Sequence, residues 1–379
     1  MRVLILDTAY WGVLESAGAG VDAPDPQALS DISARVYSQR SDYGSAAGFW
    51  LREAGHEVTH IIANARAIQL AKLGSSRTGF DVKVSWKFWQ AISRSGPLGA
   101  RLYESSNMAK AMLLDAKGGK FDVIFVLNPN ILTPRLARLM KDFTKVLVGQ
   151  IASPLPPREY FSSFDLMISA HPGQVEFFRS IGLRAEYLPL AIDDSLIPEN
   201  VRPAGERKIA VSFVGSFGRH HRANLRAIRL IASEVPGFEI YSLSPPWKLR
   251  MLGLLPFFKG KAWGARMMEI YASSKIVFNR HAPVAEGFSV NYRMFEAAAA
   301  GAVVLTESSP NLESLFAPGV EVMPYSTPQD AVKILIDLLG KPDMLSTLGA
   351  AGRAAVLERH TSRTRVVELE KLLLQSLHW

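Results

Sequence analysis

Residues 275–309 read KIVFNRHAPVAEGFSVNYRMFEAAAAGAVVLTESS. The stretch opens with a short apolar run, 275–278, bounded by the polar group Asn279, Arg280 and His281. That is the pattern of a buried parallel strand ending in a loop. The loop carries Glu286, Gly287, Phe288 and Ser289, and Val290 follows. A helix starts near Asn291, with Ser289 or Asn291 as its cap. It runs through Arg293, Phe295 and Glu296 into four alanines and stops at Gly301. A second buried strand, 302–305, follows at once and ends in Thr306, Glu307 and Ser308. Strand, loop, helix, strand is a βαβ unit, and its ligand side is the edge where strands end and helices begin. Free N–H groups and the helix dipole there favour an anion such as a diphosphate. Glu296, about a turn and a half into the helix, can point back to that edge and accept hydrogen bonds from sugar hydroxyls.

The same alternation extends outward. Strands are expected at 2–7, 56–62, 121–127, 145–151, 164–169 and 185–190, with helices at 41–54, 132–142 and 174–181 between them. The region 68–106 reads as mixed and mostly helical. A polar, proline-bearing linker, 191–206, follows. The pattern then restarts: a strand at 209–214, a helix at 223–233, strands at 238–241, 275–278, 302–305 and 321–325, and late helices at 331–339, 344–358 and 363–377. The expected fold is α/β, with two Rossmann-like doubly wound parallel sheets. The expected domains are 1–195, 207–358 and a terminal helix at 359–379 packing back on the first.

Composition bounds the class. A chain of 379 residues, 48 % apolar and 21 % charged, is long enough for two full cores and is not disordered. It has no cysteine, which excludes disulfides, thiolate metal sites and cysteine nucleophiles. MRVLILDTAYWGVLES reads as a first strand cut by Asp7, not as a signal peptide. No run approaches the length of a membrane span. A formal charge of +8 points to an anionic partner: nucleotide, nucleic acid or membrane surface.

The segment EGFSVNYRMFEAAAAGAVVLTESSPNLESLF resembles the nucleotide-sugar-binding segment of the group 1 glycosyltransferases. Within them it is most similar to the spore-maturation-protein-type branch, on Arg293, Phe295, Glu296, Ala297, Gly301 and Thr306. The resemblance covers the second half well and the first half in outline. It implies a GT-B arrangement, in which the two Rossmann-like halves face each other across a cleft, and a nucleoside-diphosphate sugar as donor. The wider group places two glutamates eight positions apart. Here Phe288 stands eight before Glu296, and Glu286 is the nearest acid. Either the loop has two extra residues or Glu286 has another role.

A second phosphate contact is expected after the strand at 209–214. Gly215 and Ser216 form a turn that lets backbone approach a ligand, and a basic run to Arg222 follows. His221 and Arg222 occupy the places of the His and Arg in the resembled branch, with Arg219 and His220 as alternates. No GxGxxG stands at either turn, which argues against a nicotinamide or flavin enzyme. The expected donor contacts are Gly215, Ser216, His221, Arg222, Asn279, Gly287, Phe288, Ser289, Val290, Arg293 and Glu296, with Glu286 or Gly287 at the donor sugar. No Asp-x-Asp motif occurs, so no metal site and no tightly bound cofactor are expected.

The acceptor belongs in loops at 8–18, 128–130, 150–154 and at His171. The resemblance implies a retaining reaction without an obligatory protein base; an inverting one would use Asp7 or His171. The acceptor is a glycan, a lipid-linked glycan or a protein. Two basic and aromatic stretches, 83–101 and 245–266, suit either an anionic membrane surface or packing with snorkelling lysines. Trp263 is a candidate to stack on the nucleotide base. The basic residues are scattered rather than striped, which argues against nucleic acid. The expected setting is cytoplasmic or peripheral on the inner leaflet. A GT-B-like binding protein without catalysis is the alternative function.

Overall fold

The computed structural model describes residues 1–9, 14, 17–18, 26–38, 40, 43–73, 91–217 and 225–379. The chain forms two compact units, one of Met1–Leu188 with Val366–Trp379 and one of Pro189–Arg365.

The first unit holds six strands: β1 (Arg2–Asp7), β2 (Glu57–Ile62), β3 (Phe121–Leu127), β4 (Thr144–Gln150), β5 (Leu166–Ser169) and β6 (Arg184–Tyr187). They pair in the order β2-β1-β3-β4-β5-β6, every pair parallel. Continuous apolar runs form these strands because helices cover both faces of the sheet. Alternate residues serve opposite layers. Leu4 and Leu6 join Ile124, Val126 and Leu147 in one core cluster. Val3 and Ile5 join Val123, Phe125 and Val148 in the other.

The described helices of this unit are α1 (Pro26–Ser38), α2 (Tyr43–Glu53), α3 (Arg66–Leu73), α4 (Pro97–Glu104), α5 (Asn107–Lys117), α6 (Pro134–Lys141) and α7 (Pro172–Ser180). Ser106 and Thr133 cap α5 and α6 by accepting backbone N–H bonds from Ala109 and Leu136. The caps expected for α2, Ser41 and Asp42, lie outside the described residues.

The second unit repeats the plan. Its strands are β7 (Ile209–Val214), β8 (Phe238–Tyr241), β9 (Phe258–Gly260), β10 (Ser274–Asn279), β11 (Val303–Glu307) and β12 (Met323–Tyr325). They pair in the order β12-β11-β10-β7-β8-β9, again all parallel. Its helices are α8 (Leu225–Glu234), α9 (Pro246–Met251), α10 (Gly264–Ser273), α11 (Tyr292–Ala299), α12 (Pro328–Leu339) and α13 (Pro342–Arg359). The final helix, α14 (Ser362–Ser376), begins in this unit and ends in the first. The strand order reverses between β7 and β10. A doubly wound sheet binds ligands at such a switch point, beyond the carboxyl ends of the strands.

The linker segment is structured. Ile192 pairs with Thr361, and Arg207 is buried with its guanidinium donating to the carbonyls of Arg202, Ser274 and Ala300. The stretch 245–266 also holds more order than its composition shows, in α9 and the three-residue edge strand β9.

Val366, Leu369 and Leu373 of α14 are buried in the same cluster as Val3, Ile5, Val123 and Phe125. Leu373→Ala empties that position and is expected to cost about 2–5 kcal/mol. Urea unfolding followed by circular dichroism reads this as a lower midpoint; an unchanged midpoint contradicts the packing.

Candidate functional site

The site is built on the β7 and β10 ends of the second sheet. After Asn279 the chain enters the loop 280–291. Asn291 caps α11, its Oδ1 accepting the Met294 N–H at 3.3 Å. Ser289, the other expected cap, is used elsewhere. Its Oγ lies 3.0 Å from His281 Nε2 and 2.6 Å from Ser309 Oγ. Its N–H donates to Asn311 Oδ1 at 2.8 Å, and Asn311 Nδ2 donates back to the Ser289 carbonyl at 3.2 Å. The Phe288 N–H donates to the Ala285 carbonyl at 2.7 Å. Of the three amides 288–290 expected at a diphosphate, two are therefore engaged inside the loop. The N–H groups of Gly287 and Val290 have no acceptor among the described residues.

His281 locks this loop. Asn291 spends its oxygen on the helix cap, so its Nδ2 is the donor to His281 Nδ1 at 2.8 Å. His281 then carries its proton on Nε2, which faces Ser289 Oγ, Thr306 Oγ1 and the Glu307 backbone. Burial pushes the ring down to about 4, with Arg293 and Arg280 acting in the same direction, so it is neutral at pH 7. Glu286 and Gly287 take successive left-handed conformations, φ 48° and 84°. The first is rare for a side chain with a Cβ, and such backbone costs about 1–3 kcal/mol and gathers at ligand sites.

Arg293 is the centre of the arrangement. Its Nη1 donates to Asn279 Oδ1 at 3.1 Å and to the Arg280 carbonyl at 3.4 Å. Its guanidinium lies 5.4 Å from the centroid of the Phe213 ring, and its charge acts on the buried Tyr271 hydroxyl. A Cβ added to Gly215, just past β7, would stand 2.8 Å from the Phe213 ring and 3.2 Å from Arg293 Nη2. Glycine is what clears the Phe213 ring there, with the arginine beside it. Asn279 is fully buried, and its Nδ2 donates to Thr306 Oγ1 at 2.9 Å. Each end of its carboxamide makes one bond, and the oxygen holds Arg293 in place.

Glu296 stands one turn beyond Arg293 on α11. Burial raises its carboxyl to about 7 and the Arg293 charge opposes that rise. The surface leaves the residue half-buried, so a polar ligand on its open side would complete its shell.

Ser216 is exposed beside Gly215, whose N–H donates to the Tyr241 carbonyl at 3.0 Å. His221 and Arg222, with Arg219 and His220, lie outside the described residues. Trp263 precedes α10 and is 37 % exposed. Asn311, Ser309 and Tyr271 were not anticipated, and His281 was read only as part of the polar group that bounds the strand; only the two polar residues just past strand ends, His281 and Ser309, carried a local signal. Among the described residues no three His, Asp or Glu side chains gather as a metal site.

In the first unit, Asp7 ends β1. Its Oδ1 accepts the Thr8 N–H at 2.6 Å, and its Oδ2 is 3.8 Å from His60 Nε2. A Cβ on Gly44 would overlap Oδ2, so the carboxylate lies against the first turn of α2, the favourable end of that dipole. His171 immediately precedes α7 and is buried; its N–H donates to Ser169 Oγ at 3.0 Å. Neither Asp7 nor His171 is open to solvent.

Residues 219–371 match the glycosyl transferase-like family, a span of less than half the chain. Sucrose-phosphate synthase from Thermosynechococcus elongatus shares the fold at a TM-score of 0.63 and 11 % identity, over 99 % of this chain and 98 % of that one. Anabaena Alr3699/HepE in complex with UDP-glucose gives 0.63 and 13 %, over 99 % and 100 %. A glycosyltransferase from Rickettsia africae gives 0.61 and 10 %, over 99 % and 98 %. No curated protein matches by sequence. The architecture is the GT-B fold, and fold and family match agree on one enzyme class, glycosyltransferase.

The raised Glu296 carboxyl predicts a pH effect. Unfolded, it ionises near its ordinary 4.5; folded, near 7. Between these values the unfolded chain sheds a proton that the folded chain keeps, so stability is full below the lower value and lost as pH rises through the upper. The melting midpoint of the wild type should fall relative to Glu296→Gln across that window. Parallel midpoints for the two proteins would refute the shift.

Proposed function

We propose that the chain moves a sugar from a nucleoside-diphosphate sugar to an acceptor hydroxyl. The observation that carries this reading is the placing of Arg293 and Glu296 one turn apart at the β7–β10 switch point, near the Gly287 and Val290 amides, which have no acceptor among the described residues. An ionised Glu296 accepts hydrogen bonds from two ribose hydroxyls, which repay its desolvation. The Gly287 and Val290 N–H groups, at the positive end of α11, meet the diphosphate, with Arg222 as its cationic partner. Glu286 and Gly287 adjoin the donor sugar.

In the transfer, the acceptor oxygen bonds to the anomeric carbon as the bond from that carbon to the diphosphate oxygen breaks. The acceptor proton passes to the leaving phosphate, and nucleoside diphosphate departs. Negative charge grows on the diphosphate as the bond breaks, so fixed donors aimed at it lower the barrier. In this retaining reading attack comes from the leaving-group face. The phosphate itself is then the base, and no role is left for Asp7 or His171. Cationic side chains and helix N–H groups take the place of a metal ion. The acceptor is a glycan, a lipid-linked glycan or a protein.

Isothermal titration with UDP-glucose, UDP-N-acetylglucosamine and GDP-mannose tests the donor. At least one should bind, and Glu296→Ala should weaken it by about 10–100-fold, the worth of hydrogen bonds to a charged group. Binding by none of the three, or an unchanged constant in the variant, would sink the assignment. Slow release of nucleoside diphosphate without acceptor would separate a catalyst from a pure binder.

A further inference from the structure

The stretch 242–268 contains five lysines and arginines and no aspartate or glutamate. The structure sorts its apolar residues into two sets. Leu249 and Leu254 are buried in the core of the second unit, with Phe257 and Phe258 packed against it. The others face outward: Trp247 is 63 % exposed, Met251 75 % and Leu243 51 %. Trp247 and Met251 are four apart on α9 and share a side with exposed Arg250, while Leu249 points the other way. Along the neighbouring sheet edge, Lys259 in β9 and Lys261 just after it are exposed. Lys248, Arg250, Lys259 and Lys261 make no ion pair among the described residues.

We propose that α9 and the β9 edge form a docking face for an anionic phospholipid surface. Trp247, Met251 and Leu243 enter the headgroup boundary, and the surrounding ammonium and guanidinium groups lie at phosphate level. The choice of occupant follows from the chemistry. An exposed tryptophan beside long cations suits an interface that is apolar below and charged above. A second copy of the chain would bring these cations against each other across a two-fold contact. Single-stranded nucleic acid would use stacked rings, whereas Met251 and Leu243 are aliphatic and cannot stack. Among the described residues no helix is long and apolar enough to cross a membrane, so the contact is peripheral.

Co-sedimentation of the whole chain with vesicles tests this. It should pellet with mixed phosphatidylglycerol–phosphatidylcholine vesicles, not with phosphatidylcholine alone, and less as salt rises. Lys259→Ala and Lys261→Ala should each lower the partition coefficient roughly fivefold. The double change Trp247→Ser with Met251→Ser should abolish pelleting while leaving the melting midpoint in place. Absence of binding to the anionic vesicles overturns the proposal, as does binding that none of these variants alters. So does tighter retention of a single-stranded oligonucleotide than of vesicles, or concentration-dependent dimerisation lost in the same variants.

Discussion

A guanidinium held at the switch point of the second sheet, surrounded almost wholly by neutral groups, sets the terms for everything near it. Arg293 is bound by a carboxamide and a carbonyl, beside a phenol and an aromatic face. None of these cancels its charge. The carboxyl one turn along the helix, on Glu296, is itself pushed toward neutrality by burial. The result is an edge where positive potential persists. Gly215 must lack a side chain to clear the Phe213 ring beside the cation, and Asn279 accepts from the cation while donating to Thr306. Residues far apart in the chain are thereby committed to one small volume.

The two ends of α11 are treated differently. At its start, Asn291 satisfies one N–H and the preceding loop is locked by His281, Ser289 and Asn311. At its finish, Arg207 donates to the Ala300 carbonyl and Arg353 to that of Ala299. Cations at the negative end of a helix dipole are favourable, and burial with a neighbouring arginine lowers Arg207 to about 10. The helix is anchored where its carbonyls point and left receptive where its N–H groups point.

What could be read from the linear chain was what local pattern dictates. Continuous apolar runs announced β1, β3, β7, β10 and β11, and Asn291 before Tyr292 announced the start of α11. The edge strand β9 was hidden because Phe258-Lys259-Gly260 is too short and too mixed to show a period. Phe288, Ser289 and Asn279 were expected to meet a ligand because their spacing from the helix is right. Their hydrogen bonds go instead to Ala285, Asn311, Thr306 and Arg293, partners fixed by tertiary contact, and nothing in the spacing foretells that competition. The basic run at 218–224 was legible in the sequence alone.

One feature of the architecture bears on synthesis. The first unit is completed by residues 366–379, which are made only after the whole of the second unit. Its sheet can form early, but the apolar flank that Val366, Leu369 and Leu373 cover stays bare while some two hundred further residues are made. The second unit, contiguous in the chain, is free to mature within that interval. The nascent protein therefore carries an uncovered apolar surface while the whole second unit is made, the kind of surface that chaperones shield.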